Sequence, residues 1–194
     1  MREAENIREA EALGIDLMGF IFWPKSSRYV SEQPTYLPTK CKRVGVFVDA
    51  SLEEIRQHAN DYQLDLIQLH GHESPVFAEA LKPLTIIKAF NIANAEDIRQ
   101  AEAFEGIVDY FLFDTKGKVV GGNGVKFDWS VLASYHGATP FLLSGGIGPD
   151  DVEAVNDFHH PQCIGIDLNS RFEVKPAHKD IVKLRQFINQ LHHE

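Results

Sequence analysis

Short runs of continuously apolar residues alternate with segments of helical periodicity along nearly the whole chain, and this alternation constrains the fold most. Seven runs have the length of a strand: Asp16–Trp23, Arg43–Val48, Asp65–Leu69, Thr85–Phe90, Asp109–Phe113, Pro140–Leu143 and Cys163–Leu168. Continuous apolar character indicates burial on both faces, which is typical of parallel strands covered by helices. The sequence therefore predicts an α/β protein built from repeated strand–helix units.

The segments between these runs predict the helices. They are Glu3–Leu13, Leu52–Ala59, Ser74–Leu81, Ala95–Phe104, a short helix from Asp128, Asp150–Phe158 and Lys179–Leu191. One leading helix and seven strand–helix units are one strand short of a (β/α)8 barrel, and a doubly wound open sheet is the alternative. Because no Gly-x-Gly-x-x-Gly turn follows the first run, we predict a single TIM-barrel domain over residues 1–194 that lacks its first strand.

Composition narrows the function. The chain has 194 residues, 19 Lys and Arg against 28 Asp and Glu, and a formal net charge of -9. With no basic run, we expect neither nucleic acid nor an anionic membrane as a partner. Two cysteines fit a reducing compartment. The apolar runs are too short to span a bilayer, and the N-terminus has no apolar signal region, so we expect a cytoplasmic protein.

A glycine-rich turn is the clearest local signal of chemistry. Ser144-Gly145-Gly146 follows a buried strand, and a helix is predicted to begin at Pro149. Glycines let the backbone approach an anion closely, and free N–H groups at a helix start point towards it. A phosphate site after the seventh strand of a barrel needs these features, although a plain tight turn would also explain them.

The end of the last predicted strand collects further polar residues. Asn169 and Ser170 have donors that can complete a phosphate cradle, and Asp167 lies beside them. The alternative is a turn closed by an Asx-type hydrogen bond.

Two more residues follow strands. Asp114 comes directly after an apolar run, where partial desolvation at a barrel mouth favours the protonated carboxyl that a general acid requires. Arg28 follows the first run and has the fork geometry that grips a carboxylate. The alternatives are a turn cap for Asp114 and a solvated loop residue for Arg28. The glycine-rich loop Lys116–Lys126 can fold over a ligand.

A metal site is not expected. Histidines such as His70 and His72 are scattered, and no Cys–His spacing matches the three or four ligands that zinc requires.

Together, these motifs resemble the phosphoribosylanthranilate isomerase family of tryptophan biosynthesis. The matching stretches run in family order: Gly19-Phe-Ile-Phe, Ser26-Ser-Arg-Tyr-Val, Val44-Gly-Val-Phe-Val, Ile67-Gln-Leu-His-Gly71, Phe113-Asp-Thr, Gly121-Gly-Asn-Gly-Val-Lys-Phe-Asp-Trp129, Leu143-Ser-Gly-Gly-Ile and Ile166-Asp-Leu-Asn-Ser. The resemblance implies a (β/α)8 barrel without a cofactor. It also implies an aldose–ketose isomerase, an intramolecular oxidoreductase, that carries out an Amadori rearrangement of a small phosphorylated substrate.

The resemblance also assigns roles. It makes Asp114 the general acid, places Arg28 on the anthranilate carboxylate and puts Asp167 near the reacting amine or sugar. It places the phosphate on five residues: Ser144, Gly145, Gly146, Asn169 and Ser170.

One departure from the family concerns the general base. Family members begin with a strand ending in Lys-x-Cys-Gly, whose cysteine is the base, and Met1 aligns just after that motif. We therefore expect this chain to lack its first strand and base, to have doubtful activity, and to self-associate through the exposed strand edges. We expect Cys41 and Cys163 to lie towards the opposite face of the barrel.

Other interpretations remain at this point. A pentose-phosphate epimerase would need metal ligands that the sequence does not show. An indole-glycerol-phosphate synthase would need lysines at strand ends, where only Lys88 is suggestive. A phosphate-ligand binding protein without catalysis would use the same binding residues.

Overall fold

A seven-stranded parallel sheet forms the centre of the computed structural model, which describes residues 1–115 and 129–191. Its strands are β1 (Leu17–Ile21), β2 (Lys42–Phe47), β3 (Leu66–Leu69), β4 (Thr85–Ile92), β5 (Tyr110–Thr115), β6 (Phe141–Ser144) and β7 (Cys163–Ile166). The strands neighbour one another in chain order, and every pair is parallel. A doubly wound sheet reverses its strand order, so the predicted barrel architecture is confirmed as a curled, incompletely closed sheet.

Helices follow the strands. They are α1 (Ala4–Glu11), α2 (Leu52–Asp61), α3 (Pro75–Glu79), α4 (Ala95–Arg99), α5 (Val152–Asn156) and α6 (Ile181–Ile188). Apart from α2, which extends two residues beyond the predicted Ala59, these helices are shorter than predicted. The Ser51 hydroxyl caps α2 by accepting from the Glu54 N–H at 3.1 Å. The helix predicted over Ala95–Phe104 consists of two parts. Its first half is α4, and its second half is a 3₁₀ helix, Gln100–Phe104. None of the described helices is long and apolar enough to cross a membrane.

A 3₁₀ helix stands at the start of two other predicted α-helices. A 3₁₀ turn, Trp129–Ser134, stands where the short helix from Asp128 was predicted, and Asp128 itself lies outside the described residues, as does the loop Lys116–Lys126. The helix predicted from Asp150 is preceded by the 3₁₀ turn Pro149–Asp151.

The two faces of the sheet have separate apolar cores. Val44, Leu66, Ile87 and Leu112 cluster on the inner face. The residues that alternate with them, including Phe47, Ile67 and Phe111, belong to the larger core beneath the helices. A strand alternates its side chains between faces. Residues in phase with the inner cluster near the carboxyl ends of the strands therefore line the barrel mouth.

The seam between β1 and β7 is the structural counterpart of the missing strand in the sequence prediction. Within the described residues β1 pairs in the sheet with β2 alone, and β7 with β6 alone. The Met1 nitrogen donates to Gly19 O at 2.8 Å, and the Val30 N–H donates to Ile21 O at 2.9 Å. These two bonds occupy part of the outer edge of β1.

A small hairpin that the sequence does not predict lies between β7 and α6. Its strands are β8 (Glu173–Lys175) and β9 (His178–Lys179), which pair in antiparallel fashion. Asn6 of α1 binds the backbone of Lys179 twice, donating to its O at 2.9 Å and accepting from its N at 2.7 Å. These two hydrogen bonds attach α1 to the hairpin.

Candidate active site

Polar residues gather where β4, β5 and β6 end. Asp114 lies level with Asn91 on one side and Ser144 on the other in the strand register. The carboxyl ends of parallel barrel strands form the face where active sites occur. Asp114 is in phase with Leu112 of the inner cluster, and its side chain is 27% exposed. It therefore sits at the rim of the mouth, partly desolvated, as the sequence predicts.

Ser144 and Asp167 contact each other across β6 and β7. The Ser144 hydroxyl donates to Asp167 Oδ2 at 2.8 Å, and the Asp167 N–H donates to Leu143 O at 2.8 Å. Ser144 is buried. Two of the sequence-predicted residues are thus held side by side, Ser144 one strand and Asp167 two strands away from Asp114.

The glycine turn after Ser144 has a backbone that favours glycine. Gly145 has φ 101° and Gly146 has φ 68°, both in the left-handed region. A Cβ built on Gly146 meets nothing within 4 Å, so the turn is open on that side. The Gly148 N–H, at the start of the 3₁₀ turn, donates a hydrogen bond to Asp151 Oδ2 at 2.8 Å. In this structure the donor is therefore used within the protein.

Asn169 and Ser170 lie at the rim after β7, and both are exposed. Lys179 Nζ donates to Asn169 Oδ1 at 2.8 Å and to Asn169 O at 3.1 Å. Ser170 begins the 3₁₀ turn Ser170–Phe172. The polar cluster after β7 therefore includes a lysine, Lys179, that the sequence analysis did not single out.

Arg28 is bound by a carboxylate of the protein. Its Nε lies 2.9 Å from both carboxylate oxygens of Glu173, and its Nη2 donates to Oε2 at 2.6 Å. The side chains are 25% and 5% exposed, respectively. The predicted fork geometry is present, and in this structure Glu173 occupies it.

Arg28 and Glu173 interact electrostatically with Lys179. Burial raises the pKa of Glu173, but the hydrogen bond from Arg28 and the charge of Lys179 outweigh it, leaving the pKa below its ordinary value. The bond to Glu173 raises the pKa of Arg28. Burial lowers the pKa of Lys179, with the carboxylates of Glu173 and Asp167 opposing the shift. The charges of Asp167 and Glu173 thus both raise the pKa of the same lysine, although burial leaves it lowered.

His70 is the residue that sequence reasoning undervalued. The sequence gives it no role beyond that of a scattered histidine, yet its Nε2 lies 3.7 Å from Asp114 Oδ2 and its Nδ1 lies 3.0 Å from Gln68 Nε2. The signal was available in the Gln-Leu-His-Gly stretch, where alternation after β3 places Gln68 and His70 on the same face. No group of three or more metal-ligating side chains forms among the residues that the structure describes.

The two cysteines and Lys88 lie away from the mouth. Cys163 opens β7, and Cys41 directly precedes β2, at the amino ends of the strands as expected. Burial raises the pKa of the Cys41 thiol to about 11 and also raises that of Cys163. Lys88 alternates with Ile87 and faces the outer layer, where it pairs with Glu73 at 3.0 Å. The suggestive lysine is therefore buried outside the barrel interior.

Comparison with known proteins gives one consistent result. The family model for N-(5'phosphoribosyl)anthranilate (PRA) isomerase matches residues 1–190. The N-(5'-phosphoribosyl)anthranilate isomerase of Parabacteroides distasonis is 50% identical over 201 residues, which cover 100% of this chain and 91% of that protein. That of Phocaeicola vulgatus is 51% identical over 193 residues, which cover 98% and 94%.

Solved structures agree. Phosphoribosyl anthranilate isomerase from Thermotoga maritima has a TM-score of 0.82 and 31% identity, covering 98% of this chain and 94% of that one. A structure of the same kind of enzyme in complex with reduced 1-(O-carboxyphenylamino)-1-deoxyribulose 5-phosphate has a TM-score of 0.79 and 29% identity, covering 98% and 97%.

The parallel strands in chain order and the polar groups at their carboxyl ends define an enzyme of the β/α-barrel class. The matches then identify the family: the chain belongs to the phosphoribosylanthranilate isomerases. Its reaction is the isomerisation of N-(5'-phosphoribosyl)anthranilate in tryptophan biosynthesis. This family membership decides against the epimerase and indole-glycerol-phosphate synthase interpretations.

Proposed function

We propose that the isomerisation takes place at the mouth formed by β5, β6 and β7, with Asp114 as the general acid. The observation that carries this proposal is the juxtaposition at that edge. Asp114 is level with Ser144, and Ser144 binds Asp167 at 2.8 Å beside the glycine turn. A half-buried carboxyl thus neighbours a potential anion site, as a phosphosugar reaction requires.

The steps follow from the chemistry of the substrate. The Asp114 carboxyl gives its proton to the furanose ring oxygen while the bond from that oxygen to C1 breaks, and the nitrogen lone pair forms the C1=N bond. A base then removes the C2 proton, and the electron pair left behind forms C1=C2 and neutralises the iminium. C1 gains a proton and the C2 hydroxyl loses one, which yields the ketone. No cofactor is needed, because no electrons leave the substrate.

The phosphate is assigned to the turn at Ser144, Gly145 and Gly146 together with Asn169 and Ser170. The left-handed glycines support this, because they let backbone approach a phosphate closely. Lys179 adds positive charge beside Asn169. The relative crystallised with a product analogue binds a ligand whose name includes a 5-phosphate and a carboxyphenyl group. The substrate of this chain has two anionic ends in the same way.

Arg28 and Asp167 complete the assignment. The guanidinium of Arg28 is held by Glu173 in one orientation, which supports its role as the partner of the anthranilate carboxylate. Asp167 is fixed by Ser144 and lies two strands away from Asp114, across β6; in this proposal it contacts the reacting amine or sugar.

The resemblance puts the general base on a Lys-x-Cys-Gly strand, and the seam between β1 and β7 is where such a strand fits. With this seam unfilled, we expect self-association through the two strand edges. The acidic chain works in the cytoplasm on a small phosphorylated molecule and binds no nucleic acid.

Label loss at C2 tests the reaction. The chain, extended upstream by a Lys-x-Cys-Gly strand that supplies the base, is incubated with substrate deuterated at C2, and the product is examined by mass spectrometry. We expect turnover with loss of the label to solvent. Product that retains all its deuterium, transferred to C1, would contradict release of the abstracted proton to solvent, since C2 of the product is a carbonyl carbon without hydrogen. Tight binding of the product analogue without any turnover would favour a binding protein instead.

A further inference from the structure

The described residues contain a buried ion pair that the reaction does not use. Lys88 on β4 and Glu73 after β3 approach to 3.0 Å with side chains that are 4% and 2% exposed. Burying two charges costs free energy, and an apolar pair of similar volume is often as stable. A contribution to folding stability is therefore a weak explanation for the presence of this pair, and its contacts indicate a second role.

The pair holds the turn that follows β3. Lys88 Nζ donates to Leu69 O at 3.2 Å and to Gly71 O at 2.7 Å, besides its bond to Glu73 Oε2. These bonds use all three donors of an ammonium group. Glu73 accepts from the Gly71 N–H at 3.0 Å and from the Asp49 N–H at 2.9 Å. The two charges thus bind the backbone on both sides of His70.

His70 is held on its other sides as well. Its N–H donates to Phe47 O at 2.8 Å, and its Nδ1 lies 3.0 Å from the amide nitrogen of Gln68. An amide nitrogen only donates, so Nδ1 accepts and the neutral imidazole carries its hydrogen on Nε2. That atom faces Asp114 Oδ2 at 3.7 Å.

We propose that Lys88 and Glu73 are positioning residues of the active site, which fix the backbone at His70 so that its Nε2–H faces the carboxyl of Asp114. This rests on the proposed function, since it takes Asp114 as the general acid. When Asp114 gives up its proton, a carboxylate forms, and the Nε2–H stabilises it by donating a hydrogen bond. Gln68 sets the tautomer from inside the barrel, and the ion pair sets the position from outside.

The first experiment removes both buried charges at nearly constant volume. The double variant Lys88→Met with Glu73→Gln leaves no unpaired charge behind. We expect kcat to fall on the order of 10- to 100-fold with KM little changed, the usual size of an effect from residues behind the reacting groups. Tyr135→Phe is the matched control, because it removes a buried hydroxyl bound to Glu105 at 2.6 Å away from the mouth.

A purely structural pair gives a different result. The double variant would then lose thermal stability, as is expected of Tyr135→Phe, while keeping its kcat well below the melting temperature. That outcome would overturn the positioning role.

The second experiment approaches from inside the barrel and does not disturb the buried pair. Long-range proton–nitrogen NMR of the full chain reports the His70 tautomer, and we expect hydrogen on Nε2. Gln68→Glu should move it to Nδ1, because a carboxylate accepts from that atom, and should lower kcat. Hydrogen on Nδ1 in the unmodified chain would overturn the inference, even if the double variant does not fold.

Rescue by a conservative variant completes the test. Gln at position 70 offers an N–H near the Nε2 position, so His70→Gln should keep more turnover than His70→Ala. Equal losses would remove the donated hydrogen from the account. The two proposals fail separately: normal turnover in Asp114→Asn would overturn the proposed function. An inactive Asp114→Asn with a fully active His70→Ala would overturn this inference alone.

Discussion

The Ser144 hydroxyl donates to Asp167 Oδ2 at 2.8 Å and so links the carboxyl ends of β6 and β7. Asp114 stands level with Ser144 on the next strand, 3.7 Å from the imidazole of His70. The mouth therefore presents two carboxyl groups in different settings: Asp167 is tied to a buried hydroxyl, whereas Asp114 meets a histidine at the rim. This difference supports giving the proton-transfer role to Asp114.

Replacing Asp114 tests that role. In a form with the Lys-x-Cys-Gly strand restored, Asp114→Asn keeps the shape of the side chain but cannot give up a proton, so turnover should fall about 10²–10⁴-fold, the usual contribution of a general acid. Binding of the product analogue should persist. Asp109→Asn is the control, because Asp109 lies at the opposite end of the same strand and accepts from the Ile86 N–H at 2.8 Å. Near-normal turnover in Asp114→Asn would remove this residue from the mechanism.

Arg28 should discriminate between substrates. Arg28→Ala is expected to reduce kcat/KM for the true substrate about 10- to 100-fold more than for an analogue without the carboxylate, since a charged hydrogen bond contributes roughly 1.5–3 kcal/mol. The measurement is repeated in Arg28→Ala with Glu173→Gln, which avoids leaving a buried carboxylate unpaired. Equal losses for the two compounds would assign Arg28 to the phosphate or to the fold.

The glycine turn can be probed with a matched pair of substitutions. Gly146 has φ 68° and Gly106 has φ 73°, and a Cβ on either meets nothing within 4 Å. Valine in this left-handed region should destabilise both variants by about 1–2 kcal/mol. Only Gly146→Val should weaken binding of the phosphorylated analogue, measured by calorimetry. A similar loss of affinity in Gly106→Val would show that strain anywhere in the fold suffices.

The Glu173 carboxylate should make stability depend on pH. Burial raises its pKa, but Arg28 and Lys179 lower it by a larger amount. The pKa of Glu173 in the folded state therefore lies below the ordinary value of 4.5. An acid with a depressed pKa contributes stability above its unfolded pKa and loses it as the pH falls through the folded pKa. The unfolding free energy of Glu173→Gln should therefore vary less below pH 4.5 than that of the unmodified chain. Parallel curves in urea titrations would contradict this.

The strands and their parallel arrangement can be predicted from the sequence because the central apolar runs, such as that of β4, are buried on both faces. The edge strands at the seam depart from this, with Ile164 of β7 56% exposed. The position of Lys88 follows from the same alternation, since Ile86, Lys88 and Phe90 share one face of β4. Polar residues that directly follow a strand, such as Asp114, are also predictable. Sequence order alone places them at one edge of the sheet.

Long-range partnerships are not predictable in this way. Arg28 and Glu173 are 145 positions apart, and no local pattern links them. The hairpin of β8 and β9 is similarly invisible, because its strands have three and two residues and depend on contacts such as that of Glu173 with the Ala177 N–H. The 3₁₀ helix after α4 is not predictable either, because the periodicity of so few residues does not distinguish a 3₁₀ helix from an α-helix.

The seam between β1 and β7 should accept one further strand. The Met1 nitrogen already donates to Gly19 O at 2.8 Å on the outer edge of β1, so a segment placed before Met1 is positioned to continue along that edge. Extending the chain upstream by a Lys-x-Cys-Gly strand should pair it with β1 and β7. We expect a higher melting temperature and less self-association in analytical ultracentrifugation, because unpaired edges recruit other strands.

Activity should separate from stability in this experiment. The extended chain should gain turnover on the order of 10² or more over residues 1–194 alone, because it supplies the thiol base as well as the strand. The same extension with Ala in place of its Cys should recover the melting temperature but not the turnover. Neither Cys41 nor Cys163 can substitute, since both lie at the amino ends of the strands and burial raises both thiol pKa values. A chain of residues 1–194 that proves a fully active monomer would show that the base lies elsewhere in the mouth, with His70 the first residue to replace.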